Sequence, residues 1–540
     1  MTKRVLWSAG LATILCALVS AGAQQPQVLV AGLNQEHTLG PGENHVYTIT
    51  LHEGEAVVGE ADQHGVDLVI DEFSPDGKLI RTVDSPNGTE GPEPIDVSAF
   101  APGEYKLVIH TLDPTAKPGK YVMKVDHVLT VDQNGSRLAE KNYPLAIQDL
   151  WRKYASDPNA LEHFISGRKG KGPIVENIKD DAKNVNVTFL YLGDEHTEAV
   201  EVFGSTHSGV GGTHLQRFLR TPLFFGTETI PKDSRFSYGF IKTERRLLGP
   251  KGNIEVSDEL DVADPLNPNG FNGFSAMALP DAPPQPYVVV SDSVPHGSTT
   301  TLTLKSTSLK EDRNISVYTP PHYETAKAAD LLIVFDGGTY DGGGASLVPT
   351  PTILDNLIAA KKIGPAIAIF VNNMGQRNRD LGGYPPFSDF IANELIPWAR
   401  TNYRVNNGPN HVVLAGSSRG GVAAAHCAFY HSDVVGNVLS QSGAFWVRNG
   451  PEDNAMPWPI TLDIGDIVIT YRESRRLPIR FYMEVGRYDA LLGDNREMRD
   501  VLLLKGYPVT YREFDSGHDY LWWRGSLADG LIALLGAQQN

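Results

Sequence analysis

Between residues 27 and 131 apolar and polar positions alternate in short runs, HVYTITL at 45–51, VDLVI at 66–70 and GEYKLVIH at 103–110. Turn formers separate them: Pro41-Gly42, Pro75-Asp76-Gly77, Asn87-Gly88 and Pro102-Gly103. A period of two, broken at this spacing, predicts an all-β sandwich. Residues 132–182 change character. Leu138 and the stretch from Leu145 to Trp151 read as a helical connector, with a glycine-bearing break from Gly167 to Gly172. Alternation returns over 183–285, in VNVTFLYL at 185–192 and RFSYGFI at 235–241, and predicts a second β-sandwich. A Pro/Ala stretch at 280–286 then leads into 295–540. Strands are expected there at 298–306, 313–318, 329–335, 411–415, 477–486 and 509–514, with helix-like stretches at 421–430 and 495–505. Short strands, several apolar throughout, that alternate with helices imply an α/β fold in which helices cover both faces of a sheet.

The chemistry gathers in this last segment. Gly416-Ser417-Ser418-Arg419-Gly420 stands between the strand at 411–415 and the helix at 421–430. A G-x-S-x-G turn in that context is a nucleophile elbow, whose strained backbone lifts the serine hydroxyl clear of the sheet. Glycines are expected at both flanks, Gly416 and Gly420, because side chains there would meet the neighbouring strand or helix. Asp489 leaves the strand at 477–486, and His518 lies on the loop after the strand at 509–514. Ser418, Asp489 and His518 thus follow the chain order of an α/β-hydrolase triad, in which imidazole takes the serine proton and carboxylate orients it. Glu484 and Asp494 are nearby carboxylates, the first expected to point into or under the sheet and the second to sit farther into the loop; a Ser-His dyad without an essential acid is the other arrangement the order allows. His426 and His431 read as structural histidines. Two backbone donors are needed for the oxyanion. The Arg419 amide supplies one, and Gly337 or Gly338, after the strand at 329–335, supplies the other.

Charge and targeting refine this picture. The 540 residues are too many for one core and suggest three domains. The formal charge of −17 disfavours nucleic acid, whose phosphates call for clustered Lys and Arg. Arginines nevertheless concentrate near the expected site, at Arg377, Arg379, Arg419, Arg448, Arg487 and Arg524, and suggest a local anion pocket. Solvated surface charge is the alternative. Thr2-Lys3-Arg4 followed by a mostly apolar run to Gly22 and small residues at Ala21-Gly22-Ala23 read as a signal peptide, 1–23, so the protein is expected in the periplasm or outside the cell. Cleavage leaves Cys427 alone, which excludes an intrachain disulfide and reads as a small core residue. No H-E-x-x-H or paired C-x-x-C occurs, so neither metal nor other cofactor is expected.

Four stretches together carry a resemblance: VFDGG at 334–338, GSSRGG at 416–421, VLSQSGAFW at 438–446 and GHDYLWWRG at 517–525. They resemble the enterochelin (ferric enterobactin) esterases, within a wider esterase family that also holds feruloyl and acetyl-xylan esterases. Residues 236–245 and 262–268 extend the resemblance upstream, to the β-sandwich that precedes the hydrolase domain in that group. Residues 27–131 are similar to the bacterial pre-peptidase C-terminal domain, an accessory module of secreted enzymes. The resemblance implies an exported serine ester hydrolase acting on a siderophore-type ester, with iron present only in the substrate. It also implies candidate substrate contacts at Arg377, Arg419, Arg487, Trp446, Trp522 and Arg524. Arg419 departs from the family, which often has an apolar or aromatic residue after the nucleophile. The alternatives are a feruloyl or acetyl-xylan type esterase, with the first sandwich touching polysaccharide or the cell surface, and a non-catalytic binder on a hydrolase scaffold.

Overall fold

A computed structural model describes residues 25–536 apart from 86, 141–142, 155–156, 158, 195, 205–211, 219–220, 249–252, 262, 326–327 and 449–463. The expected leader, 1–23, lies outside them. The chain forms two compact units: one runs to His163 and includes Arg217–Thr221, and the other holds Phe164–Gln216 and everything from Pro222 onward. The second sandwich and the α/β domain therefore share one unit, where the sequence suggests separate domains.

In the first unit the alternating runs build a five-stranded and a four-stranded sheet. His45–Leu51 forms the expected strand, and Gly103–Thr111 and Leu68–Phe73 lie close to theirs. Every second residue turns inward: Tyr47, Ile49, Leu107 and Ile109 from one sheet meet Val57, Ile95, Tyr121 and Met123 from the other. The turn glycines Gly42, Gly77 and Gly88 take positive φ, which a side chain would resist. The connector is helical, at Val131–Glu140, Leu145–Tyr154 and Ala160–Arg168. Gly167 is part of the third helix, and the break lies after it, where Gly170 and Gly172 have positive φ. Trp151 and Tyr154 set their ring edges against Phe218, which draws 217–221 into this unit.

The second unit opens with a nine-stranded sheet that includes Asn184–Leu192 and Arg235–Leu248. Its two halves face each other across Phe189, Tyr191, Tyr238 and Phe240, with Phe189 and Tyr238 5.0 Å apart at their centroids. The α/β domain follows, with strands β1 (Ser298–Ser306), β2 (Glu311–Thr319), β3 (Asp330–Val334), β4 (Ala366–Val371), β5 (Val412–Ser417), β6 (Asn437–Gln441), β7 (Arg480–Gly486) and β8 (Val509–Phe514). The sheet order is β1-β2-β4-β3-β5-β6-β7-β8, antiparallel up to the β2–β4 pair and parallel beyond. Parallel strands need both faces covered. Ile333, Ile369 and Leu414 accordingly enter one core, and Leu332, Ala368 and Val413 the other. Four helices matter below: α1 (Gly337–Tyr340), α2 (Arg419–Tyr430), α3 (Leu492–Leu504) and α4 (Tyr520–Leu535). Among the described residues no helix is long and apolar enough to cross a membrane.

Candidate active site

All the expected catalytic positions leave the carboxyl ends of the sheet strands, where open α/β sheets bind ligands. Ser418 joins β5 to α2 at φ 55°, ψ −121°, a region costing a non-glycine residue about 1–3 kcal/mol. Backbone bonds hold it there: its N–H donates to Gln441 O at 2.9 Å, and its carbonyl accepts from Ala444 N and Gly421 N, each at 3.0 Å. The last residue of β6 and the loop after it therefore hold the Ser418 backbone on both sides. This accounts for the stretch VLSQSGAFW, whose role the sequence alone did not disclose.

The glycine requirement differs from the expectation. A Cβ on Gly416 would lie 2.6 Å from the Gly420 carbonyl carbon, so Gly416 is sterically required. Gly420 has room, its nearest neighbour being Phe335 Cβ at 3.6 Å. The crowded partner is Gly421, whose Cβ would approach Ser440 Oγ to 2.3 Å.

His518 and Asp489 meet as their chain order suggests. The carboxylate sits on the loop after β7, its side chain 1% exposed, with Oδ2 2.9 Å from His518 Nδ1. Its other oxygen accepts Leu491 N at 2.9 Å, which fixes its orientation. The imidazole stands edge-on to Trp523, centroids 4.7 Å apart. Glu484 is a residue of β7 itself. It is buried and accepts from Gln441 Nε2 at 2.8 Å, from Tyr482 OH at 2.9 Å and from Ser526 Oγ. Asp494 belongs to the first turn of α3, where burial, Glu497 and Asp489 push its carboxyl up to about 6. His426 is a buried partner of Ser388 Oγ, with its pKa lowered by burial to about 4, and His431 lies 3.2 Å from Asp389. Cys427 is buried, and its thiol pKa is pushed up by that burial.

Gly337 and Gly338 open α1 directly after Asp336, a non-glycine residue at φ 56°, ψ 45°. Hydrogen bonding of this turn begins at Thr339 N, which donates to Asp336 O at 2.8 Å, so the two glycine amides precede the first intrahelical donor. Gly337 is pressed on β4: a Cβ there would come within 2.8 Å of the Val371 carbonyl carbon. Gly338 is exposed, and a Cβ there would stand 3.4 Å from Asn372 Oδ1.

The six arginines fall into different classes. Arg377 grips the buried Asp336 with Nε at 2.7 Å and Nη2 at 2.9 Å, and Asn373 Nδ2 joins at 2.6 Å, so this charge holds the turn that carries Gly337 and Gly338. Arg379 pairs with Asp380 and Glu311, and Arg487 with Asp515 at 2.7 Å. Arg448 is exposed. Arg419 is buried with its guanidinium 5.3 Å from the Trp446 ring centroid; burial, then the charge of Arg377, lowers its pKa. Arg524 donates to Gln285 Oε1 at 3.0 Å and lies 5.0 Å from the Phe271 centroid, with its pKa also lowered by burial. Trp522 stacks flat on Phe514, centroids 4.4 Å apart.

Known proteins can now be set beside this geometry. The family described as "Putative esterase" matches residues 306–534. Iron(III) enterobactin esterase of Dickeya dadantii is 30% identical over 397 residues, covering 67% of this chain and 90% of that protein. The iron(III) enterobactin esterase of Escherichia coli O6:H1 is 27% identical, covering 67% and 94%. The enterobactin esterase of Shigella flexneri, crystallised in the presence of enterobactin, superposes with a TM-score of 0.54 at 25% identity, covering 67% of this chain and 95% of that one. The chain is a carboxylic ester hydrolase and belongs to the iron(III) enterobactin esterase family.

Proposed function

We propose that the protein cleaves the ester bonds of a siderophore of the enterobactin type through an acyl-enzyme. The observation that carries the reading is the 2.9 Å Asp489–His518 bond, on the loops after β7 and β8, at the end of the sheet that also carries the strained Ser418. Ser418 Oγ attacks the carbonyl while His518 Nε2 takes its proton, and Asp489 holds the imidazole tautomer that can do so. The oxyanion forms against the Arg419 amide and one of Gly337 or Gly338. His518 gives the proton to the departing alkoxide oxygen of the substrate, which leaves as an alcohol, and water then releases the acyl group from Ser418. The names of the relatives support the substrate class. Iron enters as cargo of the substrate.

Arg419 over Trp446 and Arg524 over Phe271 are the cations we assign to an anionic, aromatic substrate. Arg377 and Arg487 act more indirectly, since Asp336 and Asp515 already engage them. Export rests on the basic, then apolar, then small-residue start of the chain, and N-terminal sequencing of the mature protein tests it.

The experiment is hydrolysis of iron-loaded and iron-free enterobactin beside methyl ferulate and p-nitrophenyl acetate, with wild type and Ser418→Ala in parallel. Preferential, Ser418-dependent cleavage of the trilactone is expected. Turnover of ferulate or acetate alone would leave a serine esterase and remove the siderophore assignment.

A further inference from the structure

Asp519 directly follows His518, and its two carboxylate oxygens serve different parts of the molecule. Oδ1 accepts Leu521 N at 2.8 Å and caps α4. Oδ2 accepts both the N–H of Ser237, at 2.6 Å, and its Oγ, at 2.9 Å. Ser237 belongs to Arg235–Leu248, a strand of the second sandwich. The carboxylate is 4% exposed, so these bonds are made out of water, where charge-assisted bonds are strong. The linker after the sandwich holds the same helix turn. Gln285 Nε2 donates to Leu521 O at 2.9 Å, its Oε1 accepts from Arg524, and its side chain occupies the space a Cβ on Gly525 would need.

The loop is secured differently on the other side of His518. Tyr488 N donates to Ser516 O at 3.2 Å, and Gly486 lies so close to Ser516 O that a Cβ would come within 2.1 Å. The histidine backbone is thus pinned upstream by the hydrolase sheet and downstream, through Asp519, by the sandwich. A displacement of about 1 Å at a catalytic group is enough to cost roughly a hundredfold in rate.

We propose that Asp519 is a positioning residue for His518 and that Ser237 makes the second sandwich a structural half of the histidine site, so that catalysis requires the sandwich even for substrates too small to touch it. This rests on His518 being the base. The small ester p-nitrophenyl acetate is therefore the substrate of choice, assayed with the full chain and with Ser237→Ala, Asp519→Ser, the double variant and His518→Ala. Serine at 519 keeps a helix-capping oxygen but cannot reach Ser237, and Ser237→Ala leaves every charge in place.

The expected result is a kcat about tenfold lower for Asp519→Ser and a few-fold lower for Ser237→Ala, with KM unchanged and the double variant no worse than Asp519→Ser alone. The pH–rate plateau falls in each. Wild-type kcat with only a lowered melting temperature would overturn the proposal, as would single effects that multiply in the double variant. So would a shifted acidic limb with an unchanged plateau, since that reports only the lost charge beside the imidazole. If His518→Ala retained turnover, the base assignment itself would fall; if His518→Ala is inactive while Asp519→Ser is normal, only the positioning role does.

Discussion

The Ser418 turn and the His518 loop are built on opposite plans. Ser418 is held from close by: glycines at 416 and 421 make room for the turn, the last residue of the adjacent strand β6 accepts its N–H, and the loop after that strand donates to its carbonyl. His518 is held from far away, since Asp519 reaches Ser237 across 282 positions of sequence and Leu521 reaches Gln285 across 236. The turn is a property of one domain. The loop is shared between two, so a perturbation of the sandwich is expected to reach His518 and spare Ser418.

The sharpest way to break this comparison is at Ser418 itself. Ser418→Ala is expected to lower kcat by about ten-thousand-fold or more, read in steady-state ester hydrolysis, with little change in melting temperature. Ser418→Gly should be equally inactive yet more stable, by about 1 kcal/mol, because glycine relieves the positive φ. If Ser418→Gly failed to stabilise, the strain assigned to this turn would be wrong.

How much of this was legible in the chain follows the same division. The elbow, the order Ser418, Asp489, His518 and the strands at 298–306 and 509–514 could be read directly, because each depends on period, turn chemistry or a short motif. Strand β7 begins at Arg480 where the apolar run suggested 477, since Pro478 cannot donate to the sheet. The roles of Asp336 and Arg377, of Gln441 and Glu484, and of Ser237 and Asp519 could not be read. Each is a contact between segments distant in sequence, and no local pattern distinguishes an arginine that anchors a turn from one that awaits an anion. Arg377 and Arg419 illustrate this: both were expected in an anion pocket, but Asp336 already engages Arg377, while Arg419, over Trp446, is the one assigned to the substrate above.

Next in size are the tests of orientation. Asp489→Asn is expected to reduce kcat by about a hundred- to ten-thousand-fold through the wrong imidazole tautomer, with KM nearly unchanged. A smaller loss would mean that Ser418 and His518 work as a dyad. Gly416→Ala should cost about a hundredfold in kcat, since its Cβ would meet the backbone of Gly420 at 2.6 Å, while Gly420→Ala, whose nearest neighbour is 3.6 Å away, should remain near wild type. Equal effects at both would put the crowding somewhere other than the Gly416 side of the turn.

A small effect on turnover, at a residue that joins the two regions, is expected at Glu484. Its carboxyl holds Gln441, whose carbonyl holds Ser418 N–H, and it also binds Ser526 of α4, the helix that starts beside His518. Burial pushes its pKa from 4.5 up to about 7, against the hydrogen bonds from Ser526, Gln441 and Tyr482, with the charge of Asp529 adding to the rise. A folded state that binds this proton more tightly than the unfolded chain has its advantage at low pH. Stability should therefore decline as pH rises from about 4.5 to about 7 and level off above, by at most about 3 kcal/mol from this group. Asp494, raised to about 6, slopes in the same sense, whereas His426, lowered to about 4, opposes it between there and the ordinary histidine range. The wild-type curve alone is thus a mixture, and the difference from Glu484→Gln isolates the carboxyl. Denaturant unfolding across this window should show wild type losing stability relative to the amide variant as pH rises, while kcat on p-nitrophenyl acetate changes only a few-fold. A difference independent of pH would show that the buried carboxyl does not take up a proton in this range, and that the support beneath Ser418 and α4 is insensitive to it.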